Sequence, residues 1–289
     1  KLILKNLIST VARGGTYMLN VGLDGTGDIP DMVLKTLQAS GKWIARYPQV
    51  IYGAGASPWK HALPWGDVVC NQGKLYLCVY DWPTSGKLYL PGLRNKVKSA
   101  SVLQEDGKKQ RIRCRQENGW TEFQVPCKQP DALVSIIELV PDGPEISVDN
   151  IQAVDPEMGI KDLSVKFAKT ESCDVYKSSW MEKFGEWKHV YCTGNLNRGG
   201  KLTWTLAVNT PGVYHLEVKA RGKGRVVWKA ETDEGYAIQN QQGVSDIFCN
   251  RPIGWIRIDK AGTHTITVKQ LEGGAVDLSS ITLVPVAFE

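Results

Sequence analysis

Asp24 and Asp28 stand four residues apart in Asp24-Gly25-Thr26-Gly27-Asp28, just past the apolar run Tyr17-Met18-Leu19-Asn20-Val21. Two neighbouring carboxylates can do acid/base chemistry if their surroundings hold one of them protonated. No sequence neighbour obviously raises the pKa of either aspartate, so a structural turn is the expectation. The same glycines invite a phosphate-binding reading. A Walker loop, however, needs Lys and Ser or Thr at the helix start, and a dinucleotide site needs GxGxxG directly after the strand. This turn has neither arrangement, its two carboxylates would repel a phosphate, and it falls short of the ligand set of a calcium loop. Asn20, near the end of the apolar run, either lines the floor of a site or satisfies loop backbone.

The other chemistry-bearing residues are scattered. The histidines, at 61, 189, 215 and 264, complete no Ser/His/Asp or Cys/His set by spacing. His215 and His264 occupy matching places in two similar segments, Pro211–Val218 and Ala261–Val268, which argues for a shared structural position over a metal site. No metal and no cofactor is expected. The seven cysteines, at 70, 78, 114, 127, 173, 192 and 249, form no CxxC pair and no zinc-type spacing. Buried free thiols, or three disulfides with one thiol left over, both fit that pattern. Thirty-five basic and 30 acidic residues give a modest net charge of +5. The densest basic cluster, Lys108–Arg115, alternates with apolar residues as the wet face of a strand would, and no nucleic-acid motif accompanies it. No apolar run is long enough to span a membrane.

These residues need elements to hold them. Leu4, Leu7, Ile8 and Val11 fall at helical spacing, so residues 2–12 read as an amphipathic helix that Gly14 or Gly15 can end. The run Tyr17–Val21 reads as a strand buried on both faces, since a half-wet strand would alternate apolar and polar residues. Only about a dozen residues precede it, although a buried parallel strand needs neighbours. Pro30 suits the first turn of a second helix, whose apolar face runs through Val33, Leu37 and Ile44 to about Arg46. Helix, buried strand, helix is the repeating unit of a parallel α/β fold.

From about Pro64 to Pro141 short strands follow at regular spacing: 68–70, 75–80, 87–90, 97–103, 110–116, 120–125 and 133–140. Turn residues such as Glu105-Asp106-Gly107 separate them, as in an antiparallel sandwich. Trp65 and Trp82, beside prolines, read as packing at a domain boundary in preference to sugar platforms. Pro141-Asp142-Gly143-Pro144 reads as a linker. Beyond it strands are expected at 163–167, 202–208, 213–218, 225–230, 255–258, 264–268 and 278–284.

Over roughly the first half, the chain resembles the α-L-fucosidases of glycoside hydrolase family 29. The resemblance rests on Gly14-Gly15-Thr16-Tyr17-Met18-Leu19-Asn20-Val21-Gly22, the Asp24–Gly27 turn, Ile29-Pro30, Gly41-Lys42-Trp43, Ile51-Tyr52-Gly53, Pro64-Trp65-Gly66, Lys74–Leu77, Asp81-Trp82-Pro83 and Leu90–Leu93. Leu23 stands where the family usually has Pro, and Thr16 where it usually has Asn. The resemblance implies the last strand of a catalytic (β/α)8 barrel with its flanking helices in residues 1–60, then a β-sandwich in 61–142. Residues 148–289 look like a carbohydrate-binding-module jelly roll, so the fold class is multi-domain and mostly β. By the same resemblance the activity is retaining hydrolysis of terminal α-L-fucosyl linkages. The nucleophile, the acid/base and the fucose-gripping histidines lie upstream of the Gly-Gly strand in that family. No catalytic residue carries over, and this chain alone is expected to be inactive, with an upstream barrel segment and a fucosylated glycan as its partners. Lys1 is preceded by no Met or leader, so a removed targeting segment or a fragment is expected, and the resemblance implies a periplasmic or secreted location.

A sugar site in the last region would stack aromatic rings on pyranose faces. Its candidates are Trp180, Trp187 and Tyr191 in one long polar loop, and Tyr236 with Gln239–Gln242 in another. The competing reading is a non-catalytic carbohydrate-binding or structural β-protein.

Overall fold

The computed structural model describes residues 1–143, 145–194, 196 and 199–286. Pro144, the last residue of the expected linker, lies outside them. The chain divides into two compact units, Lys1–Asp149 and Asn150–Glu289.

The first unit opens with two helices, α1 (Leu2–Val11) and α2 (Asp31–Arg46). Asp31 in the first turn of α2 and Arg46 in its last complement the helix dipole. A five-stranded antiparallel sheet follows, in the order β1 (Gly66–Asn71), β2 (Lys74–Val79), β8 (Ser135–Pro141), β4 (Val97–Leu103), β5 (Lys109–Ile112). A second sheet holds β3 (Lys87–Pro91), β7 (Trp120–Gln124) and β6 (Cys114–Glu117). The helices lie on one face of the larger sheet, where Leu4, Ile8, Trp43 and Tyr47 share a core with Val69, Tyr76, Cys78 and Ile136. Two polar ties hold α2 there. Trp43 Nε1 donates to Val134 O at 2.9 Å, and Arg46 Nη1 meets the buried Asp131 carboxylate at 2.7 Å. At the start of β1 only glycine fits, because a Cβ on Gly66 would lie 2.0 Å from Cys78 O.

Two expectations need correction here. Residues 17–21 form no strand: Thr16 to Leu23 have no regular secondary structure, and no backbone hydrogen bond involves them among the described residues. A strand exists only through its ladder, and no described residue pairs with this run. The expected strand 110–116 is two strands, because the chain crosses at Arg113 from β5 in one sheet to β6 in the other.

Glu138 on β8 gives this sheet a pH dependence. Burial acts to raise its pKa, but hydrogen bonds from Lys109 (2.7 Å) and Lys74 (3.2 Å) outweigh it and hold the carboxyl below its usual value. A depressed carboxyl stabilises the fold above its unfolded pKa, and that contribution disappears as pH falls through the folded one. Between pH 7 and pH 3, urea midpoints of the parent chain should therefore drop further than those of Glu138→Gln. The excess should be on the order of 1 kcal/mol, because both lysines are partly solvated. Equal drops would show that the two lysines contribute nothing.

The second unit is a sandwich of two antiparallel sheets. One runs β12 (Asp174–Lys183), β13 (Glu186–Gly194), β20 (Val276–Pro285), β15 (Gly212–Gly222), β18 (Cys249–Ile258), with β10 (Leu163–Ser164) on β20. The other runs β11 (Lys169–Glu171), β14 (Lys201–Val208), β19 (Gly262–Gly273), β16 (Gly224–Thr232), β17 (Ala237–Val244). On β14 a short strand, β9 (Gln152–Val154), pairs in parallel. Inward residues of both sheets, among them Trp204, Leu216, Trp228, Ile256, Val268 and Ile281, form one core.

Here too the sequence reading needs correction. The two long polar loops are strands, the β12–β13 hairpin and the edge strand β17, which lack apolar alternation because much of each stays wet. The expected strand 163–167 is only the two-residue β10 followed by a 3-10 turn, Val165–Phe167. His215 and His264 do not match either. They sit one residue out of step in the two similar segments, so His264 is buried while His215 faces outward on β15. The residue that matches His264 is Tyr214. Each bonds the carbonyl four residues earlier, Tyr214 to Thr210 and His264 Nε2 to Lys260 O at 2.7 Å, which locks the turn into its strand. All seven cysteines are free thiols, and burial pushes Cys70 up to about 11 and Cys78 well above its ordinary value.

Candidate functional site

The segment that the sequence singles out, residues 14–30, is held between α1 and α2. Met18 is 89% exposed and Leu23 61%, an unusual state for such side chains. Leu19, Asn20 and Val21 join Ile3, Met32 and Leu37 around an open groove of about 310 Å³. Asn20 is exposed there, and its side chain bonds no loop backbone among the described residues. The turn beyond is organised by Asp24, whose Oδ1 accepts from the Thr26 hydroxyl (2.7 Å) and from the Thr26 and Asp28 N–H groups (2.9 and 3.0 Å). The Thr26 hydroxyl, then the Asp28 and Thr26 amides, hold the Asp24 carboxyl below its usual range. A carboxylate stabilised in this way is unsuited to donating a proton near neutrality.

The aromatic candidates of the second unit are not assembled into one site. In the β12–β13 ladder Trp180 pairs with Lys188 and Met181 with Trp187, so Trp180 and Trp187 project from opposite faces of the hairpin. Tyr191 shares the face of Trp187, four residues along the strand, with the Lys166 ammonium 4.8 Å from its ring centre. Tyr236 lies between β16 and β17, its hydroxyl donating to Asp259 Oδ2 at 2.9 Å. In the first unit Trp65 is buried, with its N–H on Tyr89 O, and the Trp82 N–H binds Pro126 O, so both are packing residues.

A concave site that sequence reading missed lies at one end of the sandwich. An open cleft of about 290 Å³ is lined by Arg221, Gly222, Lys223, Asp246, Ala275 and Asp277, with Gly194 at its edge. Arg221 Nε donates to Asp277 Oδ2 at 2.9 Å, and its guanidinium lies 4.7 Å over the Phe248 ring. Burial first, then hydrogen bonds to Cys192 and Asp277, raises the Tyr176 phenol pKa, so the hydroxyl stays protonated. A fixed donor beside a fixed acceptor over an aromatic face suits a pair of neighbouring hydroxyls. Arg221 and Asp277 lie 56 residues apart and meet only through the register of β15 on β20, which no local sequence signal announces. Among the described residues, no three His, Cys, Asp or Glu side chains come together as a metal site would require.

Comparison with known proteins places these features. Residues 1–49 match the family model of the α-L-fucosidases. A curated α-L-fucosidase of Dictyostelium discoideum is 32% identical over 109 residues, which is 36% of this chain and 23% of that protein. The tissue α-L-fucosidase of Bos taurus is 33% identical over 90 residues, 30% of this chain and 19% of that protein. The crystal structure of an α-L-fucosidase from Vibrio sp. strain EJY3 superposes with a TM-score of 0.62 at 21% identity, over 99% of this chain and 50% of that one. The mostly β architecture described above is therefore one that a solved fucosidase also has. The chain spans half of that structure, and its matches span about a fifth to a quarter of the two curated relatives. No helix among the described residues is long and apolar enough to cross a membrane.

Proposed function

We propose that this chain supplies the C-terminal portion of a secreted or periplasmic α-L-fucosidase-like retaining glycoside hydrolase, which cleaves terminal α-L-fucosyl linkages of glycans. In this reading α1, the run 15–24 and α2 are the closing unit of a (β/α)8 barrel, and the catalytic carboxylates reside on a barrel segment outside this sequence. The observation that carries the reading is the run Thr16–Leu23. It is largely apolar, lacks any ladder partner among the described residues, and falls inside the stretch matched by the fucosidase family model. An apolar strand with two open edges invites aggregation, so a protein that keeps one gives it neighbours. The second unit would hold the glycan, with the Arg221–Asp277 cleft offering donor and acceptor to its hydroxyls.

Retaining hydrolysis needs two carboxyl groups about 5 Å apart, flanking the glycosidic bond. Asp24, held ionised by its turn, does not meet the need for an acid. The chain alone should therefore release no chromophore from an aryl α-L-fucoside, and turnover should appear when the barrel segment is supplied as a second polypeptide. Turnover by the chain alone would overturn the assignment of the catalytic carboxylates.

A further inference from the structure

Trp255 lies on β18, the outermost strand of its sheet, and is 68% exposed. Its outward direction is built into the backbone. Leu216 pairs with Gly254 but Glu217 pairs with Pro252, so Ile253 is an extra residue in β18, a β-bulge. Ile253, Ile256 and Ile258 all point into the core, each at 2% exposure or less. In an unbroken strand Trp255 would share the inward face of Ile253. The bulge reverses the alternation and sends the indole to solvent, which is the re-aiming that bulges perform. Gly254 makes the reversal possible: its φ is +142°, and a Cβ there would press on Ile238 Cδ1 at 3.3 Å.

The outer face around the ring is mixed: half-buried Val213 lies opposite Arg257 and half-buried Val284 opposite His215, beside polar groups. His215 is its cross-strand partner on the same outer face and makes no hydrogen bond among the described residues. Further along β15, Glu217 accepts from Asn250 Nδ2 at 3.1 Å through Oε2, leaving its other oxygen open. On the far side Arg257 follows two residues on, anchored to Asp259 at 2.5 Å. A stable protein interface buries about 800 Å² on each partner, of which one indole is a small part. One flat ring framed by an imidazole, a carboxylate and a guanidinium instead fits a ligand with an apolar face and a polar rim.

We propose that Trp255 is a stacking platform for one pyranose ring of a neutral glycan, with His215, Glu217 and Arg257 placed to hydrogen-bond its equatorial hydroxyls. The platform is separate from the Arg221–Asp277 cleft and does not depend on the chain's having any part in fucoside hydrolysis.

The test is a titration of the full chain with lactose, 2′-fucosyllactose and cellotriose, followed at the tryptophan indole N–H resonances. The Trp255 resonance is assigned by its absence in Trp255→Phe. At least one of the three sugars should shift that resonance saturably. By calorimetric titration, which does not need that resonance, Trp255→Ala should bind the same sugar about tenfold more weakly, and Trp255→Phe should stay within a few-fold of the parent. Arg221→Ala should leave the Trp255 shift unchanged, which separates this site from the cleft. The side chain is on the surface, so neither Trp255 variant endangers folding. No saturable shift with any of the three sugars, or an unchanged affinity in Trp255→Ala, would overturn the proposal.

Discussion

Replacing Trp43 with alanine is expected to destabilise the first unit by about 3–5 kcal/mol, the range for removing a large aromatic side chain from a packed core. Trp43 is 1% exposed. Its ring lies 5.1 Å from that of Tyr47, and it belongs to the core that joins both helices to the larger sheet. The truncation removes the buried area, leaves a cavity that the sheet beneath is too well paired to close, and orphans the carbonyl of Val134. Trp43→Phe retains most of the volume and loses mainly the hydrogen bond, so about 1–2 kcal/mol is expected for it. Urea unfolding of the isolated variants measures both. A loss below about 1 kcal/mol for the alanine variant would show that α2 is not anchored through this side chain.

How much of this was legible in the residues follows from where the pattern and the packing agree. The two helices were readable because Leu4 and Ile8, or Leu37, Gly41 and Ile44, recur at helical spacing, and because Pro30 and Gly14 mark their ends. Most core strands were readable because both sheets bury alternate side chains or whole runs, as in Leu75–Val79. The hairpin β12–β13 was not, because its far end carries Trp180, Phe184 and Trp187 in solvent, where no core imposes alternation. Trp255 was hidden for a related reason. Its orientation depends on one extra residue in a ladder, and a bulge leaves no mark in the apolar pattern beyond a glycine. Tyr17–Val21 failed in the opposite direction: its composition specifies a buried strand, whereas it has no ladder partner among the described residues.

That last mismatch is the centre of the functional proposal, and its expected effect is the largest. Amides in an unpaired, exposed run exchange with solvent almost freely, whereas those in a buried ladder exchange only through opening of the structure that holds them. Incorporation of Tyr17–Val21 into a barrel sheet should slow their exchange by about a thousandfold or more, the factor that an opening free energy of several kcal/mol implies. Val69 and Tyr76, buried in strands of this chain, serve as internal references that should not change.

The decisive measurement is hydrogen exchange at the amides of Thr16 to Leu23, made on this chain alone and again with the barrel segment supplied as a second polypeptide. The account predicts rapid exchange alone, and protection approaching that of β1 and β2 once the barrel segment is present. Strong protection in the chain alone, or no gain when the barrel segment binds, would contradict the assignment of this run as the closing strand of a catalytic barrel.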